Sequence, residues 1–300
     1  MKFQELLKQK LKSARYFCEA IIVKFGLWIF FAMRPQLASN VAAALSKFIG
    51  KKLPVHKLAY ENLSKAMPKL SEVEKQKILD DMWDNLGRIV GEFPHISNCP
   101  IDQMGNLVEL SGESLKNIEA IKKSGQGGII FSGHIGNWEV GPKIFSDRGL
   151  KIKTVYRPLN NPYVEQMTAS IRDTDLIEKN ASGSRKIIEM IKSRGFVIIM
   201  ADQKVSEGEP VQFFHDLAIT ATSMARIALK YDALLIPARS IRVGKDFKFR
   251  VEVEKPLAFE KTSNLNSDVL RLTREINSKL EEWIKEYPSQ WFWVHNRWKK

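Results

Sequence analysis

The chain has 300 residues, 44% of them hydrophobic, which is enough for one large core and unlike a disordered or fibrous protein. Its formal charge of +13 calls for an anionic partner: nucleic acid, a membrane surface, or an acidic protein or substrate. Two cysteines, Cys18 and Cys99, stand far apart without zinc-like spacing, which argues against a disulfide framework or a thiolate metal site and suits a reducing compartment.

The basic excess is concentrated at the N-terminus, where residues 1–60 hold eleven Lys or Arg against Glu5 and Glu19. The same region contains FCEAIIVKFGLWIFFAM, residues 17–33, flanked by basic residues. As a helix it would reach roughly 25 Å, slightly short of a hydrocarbon core of roughly 30 Å, and it carries Glu19 and Lys24. Just before it, Phe3, Leu6, Leu7, Leu11 and Ala14 fall at helical spacing between lysines, as in a helix lying on anionic lipid. Membrane association is therefore expected, with spanning and interfacial placement both open. A cleaved signal peptide fits poorly, because the basic region is long and no small-residue cleavage site follows the apolar core.

No linker rich in Pro, Gly or Ser divides the chain. The reading is a basic, apolar membrane-anchoring helical segment, 1–55, followed by one domain, 56–300. Residues 56–93 read as helical, with Ser71 and Glu74 forming a capping box. From about residue 127 short apolar runs alternate with helical patterns. GGIIFS, IKTVY, FVIIMA and LLIPARS read as strands; NWEVGPKIF, PYVEQMTASIRD, GSRKIIEMIKS and TATSMARIALKY read as helices. Such alternation predicts an α/β fold whose sheet is flanked by helices. FKFRVEVE alternates strictly and reads as a half-exposed antiparallel edge strand, and a long helix is predicted over about 266–286.

In an open α/β sheet, chemistry collects beyond the carboxyl ends of strands. His134 stands there, just after GGIIFS, in a turn containing Gly133 and Gly136. Five helical steps would separate His134 and Glu139 onto different faces of one helix. With His134 in the turn, and Asn137 capping a helix that starts beside it, Glu139 could instead accept the Nδ1 proton and leave Nε2 as a base. Such a pair suits direct deprotonation of a substrate hydroxyl. There is no GxSxG nucleophile elbow, and no ligand cluster among the five histidines calls for a metal. On spacing alone such a pair is more often a hydrogen-bonded structural feature, and its position after an apolar strand in a glycine turn makes the two readings equal.

Arg157 follows IKTVY on the same loop side, where a guanidinium could bind a phosphate. Asp202 and Gln203 end FVIIMA, suited either to substrate contact or to loop bonding, and Asn137 joins them as a candidate substrate contact. The tail WFWVHNRW mixes aromatic and basic residues, with Lys299 and Lys300 after it, as at a membrane interface.

SGHIGNWE resembles the His-x4-Glu motif of the bacterial late acyltransferases of lipid A biosynthesis, the lauroyl and myristoyl transferases. KLAYENLSKAMPKLSEVEK, VYRPLNNPYVEQM, VIIMADQ, VQFFHDLAITA and PSQWFWVHNRWKK resemble other blocks of that family in the same order. The resemblance implies a glycerolphosphate-acyltransferase-like mixed sheet flanked by helices. It also implies an enzyme of the bacterial inner membrane, with its catalytic domain on the cytoplasmic side. The enzyme would transfer a fatty acyl chain from acyl carrier protein to a hydroxyl of a Kdo-bearing lipid A precursor, forming an acyloxyacyl ester. His134 would be the general base and Glu139 its orienting partner, with no cofactor beyond the acyl carrier protein thioester. The partners implied are acyl carrier protein, the lipid A precursor and membrane lipids.

His215 departs from the resemblance, because the family usually has glycine after the paired phenylalanines, here Phe213 and Phe214. Glycerolipid acyltransferases typically carry aspartate in place of Glu139 and a Pro-Glu-Gly block, matched here only faintly by SEGEP at 206–210. Other readings are an acyltransferase using acyl-CoA on another membrane glycolipid or phospholipid, and a non-catalytic binder of anionic membrane. Nucleic acid is disfavoured, because the basic excess is interwoven with an apolar helix and no recognition module is present.

Overall fold

The structure, a computed structural model, describes residues 2–99, 101–172, 174–205 and 207–298; the side chains of residues 2–6 and 101–103 also fall outside it, and with them Phe3, Leu6, Lys299 and Lys300 of the sequence reading. Four helices come first: α1 (Lys2–Ala32), α2 (Pro35–Gly50), α3 (Pro54–Ala66) and α4 (Glu72–Asn98). Prolines at the first helical position of α2 and α3 cost no hydrogen bond there. The capping box starts α4: Ser71 accepts from the Glu74 amide, and Glu74 accepts from the Ser71 amide at 2.8 Å.

The remainder runs α5 (Ile101–Leu107), β1 (Val108–Leu110), α6 (Gly112–Lys123), β2 (Gly128–Ser132), α7 (Val140–Asp147), β3 (Ile152–Tyr156), α8 (Pro162–Arg172), β4 (Leu176–Glu178) and α9 (Ala181–Lys192). It continues with β5 (Phe196–Met200), β6 (Glu209–Phe213), β7 (Asp216–Thr220), α10 (Ser223–Tyr231), β8 (Leu234–Arg242), β9 (Phe249–Val253) and α11 (Leu265–Glu286). Seven strands form one sheet in the order β1-β9-β8-β2-β5-β3-β4. From β8 to β4 all neighbours are parallel, whereas β9 is antiparallel to β8 and parallel to β1. FKFRVEVE is therefore not the edge strand that its alternation suggested, because the three-residue β1 lies outside it.

Alternate residues of the central strands enter two cores. Ile129, Phe131 and Val197 pack with α9, α10 and α11, while Ile130, Phe196 and Ile198 pack with α6 and α7. Helices thus cover both faces, which explains why the parallel strands read as unbroken apolar runs. The hairpin β6–β7 docks on α11. Its turn is Phe214–His215, and the residue in the left-handed region is Phe214, at φ 56°, not His215. The position where the family usually has glycine therefore makes no demand for glycine here.

The N-terminal helices divide in their packing. α2 lies against α4 through Ala38, Ala42 and Ala43. α1 touches α8, α4 and α2 but leaves Ile22, Phe25 and Trp28 each at least 60% exposed. Among the described residues, no helix is long and apolar enough to cross a membrane.

Candidate active site

β2 and β5 are adjacent and parallel, with Ser132 opposite Met200. Two residues beyond each strand end, the same register brings His134 opposite Asp202. His134 Nδ1 lies 2.8 Å from Asp202 Oδ1, and the His134 amide donates to Asp202 Oδ2 at 2.7 Å. Trp291 Nε1 donates to that same Oδ2 at 2.8 Å. Asp202 is completely buried. Burial alone would raise its carboxyl, but in the acid range where it titrates the imidazolium charge of His134, with the His134 hydrogen bonds, outweighs burial and holds Asp202 well below the usual carboxylate range. With a carboxylate as partner, Nδ1 carries the imidazole proton and donates it. Nε2 is left as an acceptor, 3.3 Å from the amide nitrogen of Gln203.

The turn after β2 requires glycine once. Gly136 has φ +58°, and a Cβ there would lie 1.9 Å from the Ser240 carbonyl oxygen. This turn carries Glu139 to the start of α7 without reaching the imidazole. Its carboxylate instead accepts two bonds from Arg172 at the end of α8, Nε to Oε2 at 3.0 Å and Nη2 to Oε1 at 2.9 Å. The expected His134–Glu139 bond is thus replaced by a His134–Asp202 bond. Asn137 is engaged within the fold. Fully buried, it donates to Glu92 Oε2 at 2.8 Å and accepts from the Glu139 amide at 3.2 Å, tying the turn to the buried Glu92–Arg242 ion pair.

His134 opens onto a cavity of about 320 Å³. Ile187, Ile199, Met224 and Ile227 line it. Arg157 and Lys179, beyond the carboxyl ends of β3 and β4, line it as well, beside Lys143, Arg172, Glu139, Glu178 and Gln203. Lys143 is committed, donating to the carbonyls of Ile96 and Ser97 at the end of α4, and Arg172 is held by Glu139. Arg157 and Lys179 have no ion-pair partner among the described residues. Burial, and secondarily the charge of Arg157, push the Lys179 ammonium below its ordinary value. Two cations without an ion pair on one cavity lining can take an anionic group.

His295 adds a third group, its ring centroid 4.9 Å from that of His134. Burial, the largest influence, pushes its imidazole down to about 4, so it is neutral near pH 7. His134, Asp202 and His295 present donor atoms within 4.8 Å of one another, a grouping the sequence reading did not foresee. A tetrahedral zinc needs donors roughly 3.3 Å apart, and the Asp202 oxygens already accept three N–H groups, so these residues suit a hydrogen-bonded base better than a metal ion. Sequence reasoning also missed Arg172, Lys179 and Trp291. The signal for the last was present, since Trp291 belongs to the tail block.

The sequence pattern of the bacterial lipid A biosynthesis acyltransferases matches residues 6–300. A lipid A biosynthesis myristoyltransferase of Escherichia coli (strain K12) is 20% identical over 265 residues, 87% of this chain and 80% of the relative. A lipid A biosynthesis acyltransferase of Haemophilus influenzae is 21% identical over 287 residues, 90% and 86% of the two chains. The Escherichia coli lauroyltransferase is 25% identical over 257 residues, 81% and 78%. A histidine–carboxylate pair stands at the strand ends of this fold beside a cavity lined by both apolar and cationic side chains, and this chain belongs to the bacterial lipid A biosynthesis acyltransferase family.

Proposed function

We propose that His134 is the general base of an O-acyl transfer from acyl carrier protein to a hydroxyl of a Kdo-bearing lipid A precursor. The carrying observation is the fully buried Asp202 carboxylate on His134 Nδ1, which makes Nδ1 the donor and leaves Nε2 as the acceptor of the neutral ring beside the cavity. Nε2 takes the hydroxyl proton as the oxygen attacks the thioester carbonyl. The C–S bond then breaks, an ester forms, and the departing thiolate recovers the proton from the imidazolium. Asp202 stabilises the imidazolium that forms in between; proton transfer of this kind contributes roughly 10²–10⁴-fold.

The apolar lining of Ile187, Ile199, Met224 and Ile227 suits the donor's acyl chain. Arg157 and Lys179 suit a phosphate, whether of the donor's phosphopantetheine arm or of the acceptor. In this reading Glu139 does not orient the base; it aims Arg172 along the cavity wall. A fixed guanidinium there favours an anionic oxygen of substrate or of the reacting carbonyl. No resident cofactor takes part. The exposed apolar side chains of α1, set among Lys8, Lys12, Arg15 and Lys24, support a helix lying in a membrane interface, which this reading assigns to the cytoplasmic side of the inner membrane.

The test is mass spectrometry of a purified tetraacylated, Kdo-bearing precursor incubated in detergent with the protein and either acyl carrier protein thioesters or acyl-CoA. One added acyl mass with the carrier-protein donor is expected. His134→Ala should abolish it, and Asp202→Asn should slow it roughly 10³-fold or more by imposing the wrong tautomer. An unimpaired His134→Ala protein would sink the general-base role. Transfer from acyl-CoA alone would replace the donor.

A further inference from the structure

Asp202 holds His134, but a carboxylate on a short side chain must itself be held. Its Oδ2 receives an N–H from Trp291, which is 1% exposed. The backbone around Trp291 grips the His134 turn at three successive points. The Gly136 amide donates to the Gln290 carbonyl at 3.0 Å, Ile135 and Trp291 form an antiparallel bridge, and the Phe292 amide donates to the His134 carbonyl at 3.1 Å. The tail tryptophans around it spend their N–H groups otherwise: Trp293 on the Pro288 carbonyl and Trp298 on the Phe213 carbonyl. Burial would place the Trp291 ring in this core, against Trp293 and Phe213, whatever its polar atom did. The direction of its N–H is a separate fact, and it completes a relay from indole to carboxylate to imidazole.

We propose that Trp291 is a positioning residue for the reaction, fixing the Asp202 carboxylate in the orientation that holds His134 Nδ1 and aims Nε2 at the cavity. The inference rests on the general-base reading of His134. Without the indole N–H, Oδ2 keeps only the His134 amide, the carboxylate gains freedom to rotate about Cβ–Cγ, and a buried acceptor loses a donor. Partners one step behind a working group typically contribute 10–100-fold.

Trp291→Phe keeps an aromatic ring and deletes the donor. A closer mimic is 3-benzothienylalanine at position 291, which keeps the bicyclic shape with sulfur in place of N–H, and it serves if the phenylalanine variant fails to fold. The expected result is a kcat lowered roughly 10–100-fold with KM for both substrates within about twofold, in a variant that stays folded at the assay temperature. In an Asp202→Asn background the same substitution should add less than about twofold, because the relay is already broken. A second readout needs no turnover: in ¹⁵N NMR of the full-length protein without substrate, the His134 Nδ1–H resonance should shift and broaden in the benzothienylalanine variant. An unchanged kcat, a fully additive loss in the double variant, or an unperturbed Nδ1–H signal would each overturn the proposal. If wild type transfers no acyl group, the general-base reading fails, while the NMR comparison still decides whether Trp291 positions the pair.

Discussion

His295 packs beside His134 with its imidazole pushed down by burial from 6.5 to about 4, the neighbouring charges of His134 and Arg297 acting in the same direction and Asp202 opposing them. The unfolded chain therefore takes up a proton as pH falls through 6.5, while the folded protein refuses it until about 4. A depressed histidine of this kind contributes stability that is present above pH 6.5 and lost on the way down to about 4, worth up to about 3 kcal/mol. Asp202 is lowered as well, but its linkage begins only below the unfolded carboxylate value of 3.8, so the two windows separate. Urea unfolding at pH 7 and pH 4.5 should show wild type losing stability that His295→Gln does not lose, and parallel losses would disprove the assignment. This residue also marks where sequence reading stopped. His134 was legible from its place after an apolar strand, and Arg157 and Gln203 from theirs. The partner of His134 was assigned to Glu139, five residues away, because local spacing is all a single sequence displays. Asp202 is 68 residues distant and reaches the imidazole only through the β2–β5 pairing, which no local pattern encodes.

Two glycines on α4 decide how closely α2 approaches. A Cβ on Gly91 would lie 2.4 Å from the Ala38 carbonyl oxygen and 2.8 Å from the Ala42 Cβ, and one on Gly87 would lie 2.3 Å from the Ala42 carbonyl oxygen. In an open helix Gly→Ala stabilises by roughly 1 kcal/mol. At Gly91 the obstruction is largely backbone, so overpacking of about 1–3 kcal/mol should win and Gly91→Ala should destabilise. Gly141 in α7, where an added Cβ meets nothing within 4 Å, provides the contrast: Gly141→Ala should be neutral or stabilising by up to about 1 kcal/mol. Thermal unfolding of the two variants checks the sign, and a stabilised Gly91→Ala would mean that α2 is not packed this tightly. Elements set by local signals were readable, including the capping box at Ser71, the apolar parallel strands and the long C-terminal helix. β1 and β4, three residues each, were not, because strands so short exist through their neighbours; missing β1 is what turned β9 into a supposed edge.

At the scale of the whole molecule the separation into residues 1–55 and 56–300 meets an asymmetry of packing, since α2 is keyed into α4 whereas α1 turns Ile22, Phe25 and Trp28 outward. If α1 lies in the membrane interface, those three side chains, at 71%, 60% and 62% exposure, enter the acyl boundary, and the lysines and arginine beside them meet anionic headgroups. Full burial of one such side chain is worth roughly 1.5–3 kcal/mol and partial insertion of three roughly 3 kcal/mol in sum, about a hundredfold in partition coefficient. Each basic residue near the surface adds about 1 kcal/mol that salt screens away. The triple variant Ile22→Ser, Phe25→Ser, Trp28→Ser should therefore keep its fold, because it alters only outward-facing groups. It should cosediment with phosphatidylglycerol vesicles about a hundredfold more weakly than wild type. High salt should weaken wild-type binding without abolishing it, because the apolar contribution persists. Acyl transfer to detergent-dispersed acceptor should survive in the triple variant, while transfer to acceptor embedded in vesicles should fall in step with binding. Undiminished cosedimentation would place the membrane contact elsewhere, and loss of activity in detergent as well would mean that α1 shapes the cavity through its packing on α8 instead of delivering the enzyme to its substrate.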